Sequence, residues 1–387
     1  MNKNKASAWQ RQQGSYMVIF AGVLLLLTGF AVLAVDIGRI FIVRGEMQNV
    51  ADATALAGAN CLTRQSGKGT TDCLSTMASA LNWTRAVANA QAQLSQNQAD
   101  NRSISSSDAG HVIDVGYWDL LNKRPSGGTL PTSLMSTTFS PIGTYDKPAI
   151  RVKVSKAAGQ NGGPILMLTR LMFGGVDVPM SATAVAVISS PGGVLTGNLI
   201  PMAIDKCLFD TYWDSTTGSP KLADSNKLTV YSGKKPSNIQ QTIGAPWVFQ
   251  MGSAYSYANC QATQWSSFAV DNNSASYATG LISTGNPTPL NIGDLVYIQP
   301  GAETTLFKNL IQQYPTLPVD VTVMVVNYNL STSGNAPIYA FASFRITAIE
   351  DGSGKYIQGS FVKSEVSSGS SGIGPFYGTY TPPRLAY

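Results

Sequence analysis

The chain has 387 residues, enough for two or three domains of ordinary size. Charged residues make up only 12%, against about 25% in typical globular proteins, and Gly, Ser, Thr, Asn and Gln fill the gap, which suits a β-rich exported protein better than a helical cytosolic enzyme. The net charge of +5 is unevenly placed: Lys3, Lys5 and Arg11 stand in residues 1–14 without an acid, the remainder is nearly balanced, and no basic face interleaved with aromatics marks a nucleic-acid partner.

Residues 1–15 form a basic tail. An uncharged apolar run follows, opening at Tyr16 and closing at Val35. At 1.5 Å per residue it spans about 30 Å, the thickness of a bilayer's hydrocarbon core. A cleaved signal peptide has a shorter apolar region followed by a small-x-small site. Here the run is long, and the residues after it stay helix-compatible with no clean Ala-x-Ala. The reading is a retained single-pass anchor. By the positive-inside rule the amino terminus is cytoplasmic and the body lies on the far side.

The helix is expected to continue to residue 62. Ile37, Ile40, Arg44, Met47, Ala51, Thr54 and Gly58 follow 3-4-3-4 spacing, with Val43, Val50 and Ala57 beside them. The stripe ends in small residues, which let another helix approach closely. It serves either partner helices or the chain's own second helix, with partner helices preferred. Asp36 and Arg39 pair across one turn or are ordinary interfacial charges, the latter preferred.

Residues 63–110 read as a turn at Gly67-Lys68-Gly69, a second helix over about 72–98, and a polar loop over 99–110. The four cysteines are Cys61, Cys73, Cys207 and Cys260. They include no C-x-x-C pair and have only His111 for company, so no zinc site is expected. An exported body implies two disulfides. Three connectivities are possible, and the local one, Cys61–Cys73 with Cys207–Cys260, is preferred. A loop of the first size stabilises by roughly 3 kcal/mol in the chain-entropy model.

From His111 the period becomes alternating. Strands are expected over 111–118, 149–155 and 178–188, with a helical patch over 164–173, so that 111–190 forms a small α/β or β-rich domain. Residues 189–193, Ser-Ser-Pro-Gly-Gly, read as a linker. The domain 191–363 is β-rich, with strands over 228–231, 247–251, 267–270, 294–299, 319–326, 338–349 and 355–362. Residues 364–387, rich in Ser, Gly and Pro, read as an extended or mobile tail. The fold class is α+β: a long transmembrane and stalk helix with a helical hairpin, then a β-rich periplasmic body built as a mixed sheet or sandwich.

Little in the chain points to catalysis. His111 sits in a strand pattern. Gly352-Ser-Gly354-Lys355 lacks the earlier glycine and the Ser/Thr of a phosphate loop. No cluster of carboxylates stands out, and no cofactor or small-molecule substrate is indicated.

The block Ala34-Val-Asp36-Ile-Gly38-Arg39, then Arg44, then Met47-Gln-Asn49-Val-Ala51-Asp52-Ala-Thr-Ala-Leu-Ala57-Gly58, resembles the N-terminal region of TadG-like proteins of the bacterial Tad/Flp (tight adherence) pilus apparatus. The resemblance implies a single-pass inner-membrane protein with a periplasmic body. It would be a structural, minor pilin-like component in adhesion or biofilm formation, with other pilus-assembly or pilin-like proteins as partners through the stalk, and not an enzyme. Many TadG-like proteins carry a von Willebrand A domain, but its metal motif is broken in Asp271-Asn-Asn-Ser-Ala-Ser276. Gly14 resembles a prepilin cleavage glycine, yet Ile19 stands where pilins place Glu, so no processing there is expected. The alternatives are an anchored carbohydrate-binding module or hydrolase, and an adhesin secreted after signal cleavage.

Overall fold

The computed structural model describes residues 6–62, 83–105, 109–127, 135, 137, 145–170, 174 and 177–386, apart from 216–217, 234, 258–259, 273, 300, 302–303, 353, 367–368 and 373. They divide into two compact units. One comprises Met1–Ala55, Ala90–Ile113 and Arg151–Val185, the other Leu56–Asn89, Asp114–Ile150 and Ala186–Tyr387.

Helix α1, Ala6–Asn60, is continuous for 55 residues, about 80 Å at helical rise. Its stretch of highest hydropathy is not buried anywhere within the protein, and Met17, Phe20, Leu25, Leu27 and Phe30 are each more than half exposed. A buried core helix is thereby excluded. An exposed apolar surface of this extent is what a lipid phase covers. The expected second helix is observed as α2, Trp83–Leu94. The Gly67–Gly69 turn and the start of that helix lie outside the described residues.

In the first unit, Val43, Met47, Val50, Ala51 and Ala55 of α1 are buried, as are Ala90, Leu94, Ile104, Val152, Val154 and Ile165. The strands β1 (His111–Asp119), β2 (Arg124–Pro125), β3 (Asp146–Lys156) and β4 (Met180–Val187) form a five-stranded sheet with Arg384–Leu385, in the order 384–385, β4, β3, β1, β2; β1, β3 and β4 each carry residues of both units, and β2 and Arg384–Leu385 belong to the second. On β3, Ile150, Val152 and Val154 are buried, as their alternation predicts.

The second unit contains β5 (Pro191–Val194), β6 (Met202–Asp205), α3 (Lys206–Tyr212), β7 (Lys227–Ser232), β8 (Lys235–Gln240), β9 (Val248–Met251), β10 (Thr263–Ser266), α4 (Ala275–Thr284), β11 (Leu295–Gln299), α5 (Thr304–Gln313), β12 (Val319–Val326), β13 (Gly334–Glu350) and β14 (Tyr356–Val362). Its main sheet closes on itself. The long β13 pairs with β11 through its first residues and with β12 through Ile338 to Ile346. β11 pairs with β10, β10 with β6, and β6 with β12. A ring with an odd number of strands cannot be antiparallel throughout, and β6–β12 is its parallel pair. Closure removes the edges of these five strands, while β14 and β9 extend from β13 as a branch that ends at β9. The mixed sheet is therefore a closed one, not a sandwich. Both faces are covered: Val321, Val323 and Val325 enter one apolar cluster, Met324 and Val326 the other.

Two readings of flexibility need correction. The linker 189–193 is part of the fold. Ser189 and Ser190 are buried, Ser190 Oγ donates to the Gly374 carbonyl at 2.6 Å, and β5 pairs with Leu290–Asn291 and Gly369–Ser371. Gly193 stands where an added Cβ would collide with Asn291, so glycine here serves close approach rather than mobility. The tail 364–386 is likewise paired: Ser364–Glu365 runs parallel to Thr379–Tyr380, and Arg384–Leu385 pairs with Ala186 and Val187. Tyr377, Thr379, Tyr380 and Thr381 are buried. The strand expected over 267–270 is a turn, with Phe268 at φ 56°, and the strand lies just before it in β10.

Burial pushes the Lys147 ammonium down to about 8, against the opposing pull of Asp146. Its one described contact is a long 3.4 Å hydrogen bond to the Gly374 carbonyl. A folded-state value below the unfolded one means the native fold carries a buried cation at a cost below pH 8. That cost fades as pH rises from about 8 to about 10.5, so stability rises across this window. The shift corresponds to about 3 kcal/mol. Lys147→Met is expected to stabilise the protein by about 1–3 kcal/mol at pH 7 and to flatten the alkaline rise. Denaturant melts at pH 7 and pH 10 check both.

Candidate functional site

The site is the stretch of α1 just past the apolar run. Asp36 is fully buried. Its carboxylate accepts from the backbone amides of Leu168 at 2.7 Å and Thr169 at 2.8 Å, the same service that an acidic N-cap performs within one segment. One turn on, Arg39 Nη1 donates to the Leu166 carbonyl at 2.9 Å. Its Nη2 meets Asp100 Oδ1 at 2.8 Å. Asp36 and Arg39 are thus each bonded to other parts of the chain, with the Arg39 charge close enough to act on Asp36. Together they hold residues 166–169 against the helix.

Asp100 is the hub of this network. Asp100 and Asn101 have φ of 55° and 56° in the two-residue turn between Gln98–Ala99 and Arg102–Ser103. Type I′ turns demand positive φ at both central positions, which Asp and Asn tolerate best. The turn aims the Asp100 amide at Glu46 Oε2, 2.7 Å away, and brings its carboxylate to Arg39. Lys156 Nζ lies 3.9 Å from Asp100 Oδ2 and donates to the Asn161 carbonyl at 2.9 Å. Burial pulls the Lys156 amino group below its ordinary value, while Asp100 acts in the opposite direction. Asn161 in turn donates to the carbonyls of Gly110 and Ser155. Farther along, Gln48 Nε2 bridges Asp52 Oδ1 at 2.8 Å and the Thr183 carbonyl at 3.2 Å.

The buried stripe of α1 is Asp36, Val43, Met47, Val50, Ala51, Thr54, Ala55, Gly58 and Ala59. It lies partly one residue off the expected register, since Ile37 and Arg44 are exposed. The chain itself occupies this face, which corrects the preference for partner helices there. Of the remaining family positions, Tyr16, Val35, Gly38 and Asn49 are exposed, Arg39, Asp52 and Ala57 half-buried. The Ala57 carbonyl, one of the last four of α1, accepts from Asn89 Nδ2 at 2.6 Å, which meets a need left by every helix end. Cys61 is buried and disulfide-bonded, and Cys73 lies outside the described residues. Cys207 and Cys260 are bonded, with Cα atoms 5.5 Å apart.

Sequence reasoning missed Glu46, Asp100, Lys156 and the Leu168 and Thr169 amides. Only the Asp-Asn turn carried a local signal. His111 heads β1 without a metal-binding cluster around it, and no group of three His, Cys, Asp or Glu residues is suited to a metal among the described residues. In the second unit a cleft of about 280 Å³ is lined by Asn198, Gln313, Tyr314, Asp320, Thr322 and Glu365, among others. Asp320 is already committed to Arg345 through two bonds of 2.7 and 2.9 Å.

Residues 14–60 match a family model described as putative Flp pilus-assembly TadE/G-like, and residues 57–186 match one described as putative Tad-like Flp pilus-assembly. No curated protein and no solved structure matches the chain.

Proposed function

From the premise that this chain is a TadG-like component of Tad/Flp pilus assembly, to which residues 14–186 assign it, we propose that it is a structural, minor pilin-like member of that apparatus. In this reading it is anchored in the inner membrane with its body in the periplasm, and it contributes to adhesion or biofilm formation. The observation that carries the reading is the two-sidedness of α1 beyond Val35. One side is filled by the chain. The other, with Gly38, Arg44, Gly45 and Asn49, is exposed, and a Cβ added at Gly38 or Gly45 meets nothing within 4 Å.

A glycine inside a helix costs about 1 kcal/mol relative to alanine, and no packing within the chain offsets that at these two positions. They lie seven residues apart, on one side of the helix, where small residues let partner helices come close. Retention of the anchor is supported by the continuity of α1, because cleavage after the apolar run would cut the helix beside Asp36. The periplasmic orientation is supported by the charge of residues 1–14 and by the Cys207–Cys260 disulfide, which persists in oxidising compartments.

Deletion of the gene is expected to abolish surface pili and attachment, and the wild-type gene to restore both. A Gly38→Leu/Gly45→Leu variant is expected to reach the membrane at normal levels yet fail to restore pili. Normal pili and attachment in the deletion strain would overturn the proposal. Full restoration by the double variant would remove the exposed glycine face from it.

A further inference from the structure

We infer that residues 165–168 form a second membrane contact, in which Leu166 and Leu168 enter the bilayer interface beside the span. This rests on the reading of α1 as a membrane anchor.

The depth of these leucines is set by hydrogen bonds. Asp36 is the first charged residue after the apolar run, and its carboxylate holds the Leu168 and Thr169 amides. Arg39, about 4.5 Å farther along the helix, holds the Leu166 carbonyl. Both ends of the segment are therefore fixed within one turn of the membrane exit. The headgroup zone adds about 5–7 Å to each side of the hydrocarbon core, so the segment falls inside that zone.

Its side chains suit the zone. Ile165 is buried, whereas Leu166 is 57% and Leu168 42% exposed. On α1, Val35 and Ile37 at the same level and Phe41 and Ile42 about one turn beyond are exposed by 45–66%. An apolar band thus continues past the end of the span. Cations accompany it. The Arg39 and Arg170 side chains are 39% and 53% exposed and pair with Asp100 and Asp177, so each cation stands beside the band within an ion pair, as long basic side chains do at membrane interfaces. A bilayer is the occupant that α1 itself delivers to this depth, and apolar side chains flanked by arginines are what an interfacial segment presents to it.

The test uses the full chain reconstituted in phosphatidylcholine–phosphatidylglycerol vesicles, with a nitroxide on Leu168→Cys. Leu25→Cys in the anchor and Ile243→Cys, exposed in the second unit, serve as references. Accessibility to oxygen and to a water-soluble nickel chelate is measured. The Leu168 label is expected to be oxygen-favoured, with nickel access several-fold below that at Ile243. A Leu168 label as aqueous as Ile243, with the Leu25 label deep, would overturn the inference and leave the anchor standing. Aqueous labels at both Leu168 and Leu25 would overturn the anchor reading as well. Shielding from both reagents would mean that protein covers the segment, which also overturns the inference. Leu166→Cys, read in the same way, guards against a local effect of the label at Leu168.

Discussion

An Asp36→Ala variant is expected to free residues 166–169 from α1 and to block pilus assembly while leaving the protein in the membrane. Two charge-assisted bonds to part-buried amides vanish at once, and the Leu168 and Thr169 amides lose the acceptor that ties them to α1. Hydrogen exchange at Leu168 and Thr169 should accelerate on the order of tenfold or more. Asp36→Asn keeps the shape and an accepting oxygen but not the charge, so it should fall between. Arg39→Lys should also be a partial loss, because a single ammonium cannot fork between Asp100 and the Leu166 carbonyl. Unchanged exchange at both amides in Asp36→Ala would show that the bonds do not hold the segment.

Removing the Cys207–Cys260 bond by a Cys207→Ser/Cys260→Ser double variant is expected to cost about 4 kcal/mol of stability. The bond closes a loop of sequence separation 53, so the denatured chain gains much freedom when it is cut. Against a typical domain stability of 5–15 kcal/mol the loss is large. Denaturant melts of the bonded and double-variant forms, monitored by tryptophan fluorescence, measure it, and coincident midpoints would contradict it.

Local signals made much of the fold legible. The uncharged run of α1, the clean alternation at Ile150, Val152 and Val154, and strand β12 needed only periodicity. The short helices were not legible. The sequence of α4, Ala275–Thr284, is poor in strong helix formers. It is held instead by Ser274, whose side chain accepts from the Tyr277 amide, and by burial of Ala278, Leu281 and Ile282. β10 reads as Thr-Gln-Trp-Ser and lacks a polar–apolar alternation because all four residues are buried. Gly- and Ser-rich stretches were mistaken for mobile ones, since composition does not reveal the close approach that Gly193 permits.

The candidate site divides along the same line. Its residue types on α1 could be read from the chain. Their partners could not, because Asp36 meets Leu168 and Thr169 across more than 130 residues of sequence. Placing a carboxylate on the buried stripe also violates hydrophobic periodicity. That is why the expected stripe begins at Ile37, and why Asp36 reads as an ordinary interfacial charge.

The unbroken run of α1 from Ala6 to Asn60 acts as a rigid shaft with a defined angular phase. Each residue turns the helix by about 100°, so the lipid-facing surface of the span fixes the compass bearing of Gly38, Gly45 and the Asp36–Arg39 clamp around the membrane normal. One residue added between Val35 and Asp36 would swing everything beyond it by more than a quarter turn while lifting it only about 1.5 Å. For a component that must meet neighbours already set in the same bilayer, heading matters more than height, and an uninterrupted helix is the simplest means of keeping it.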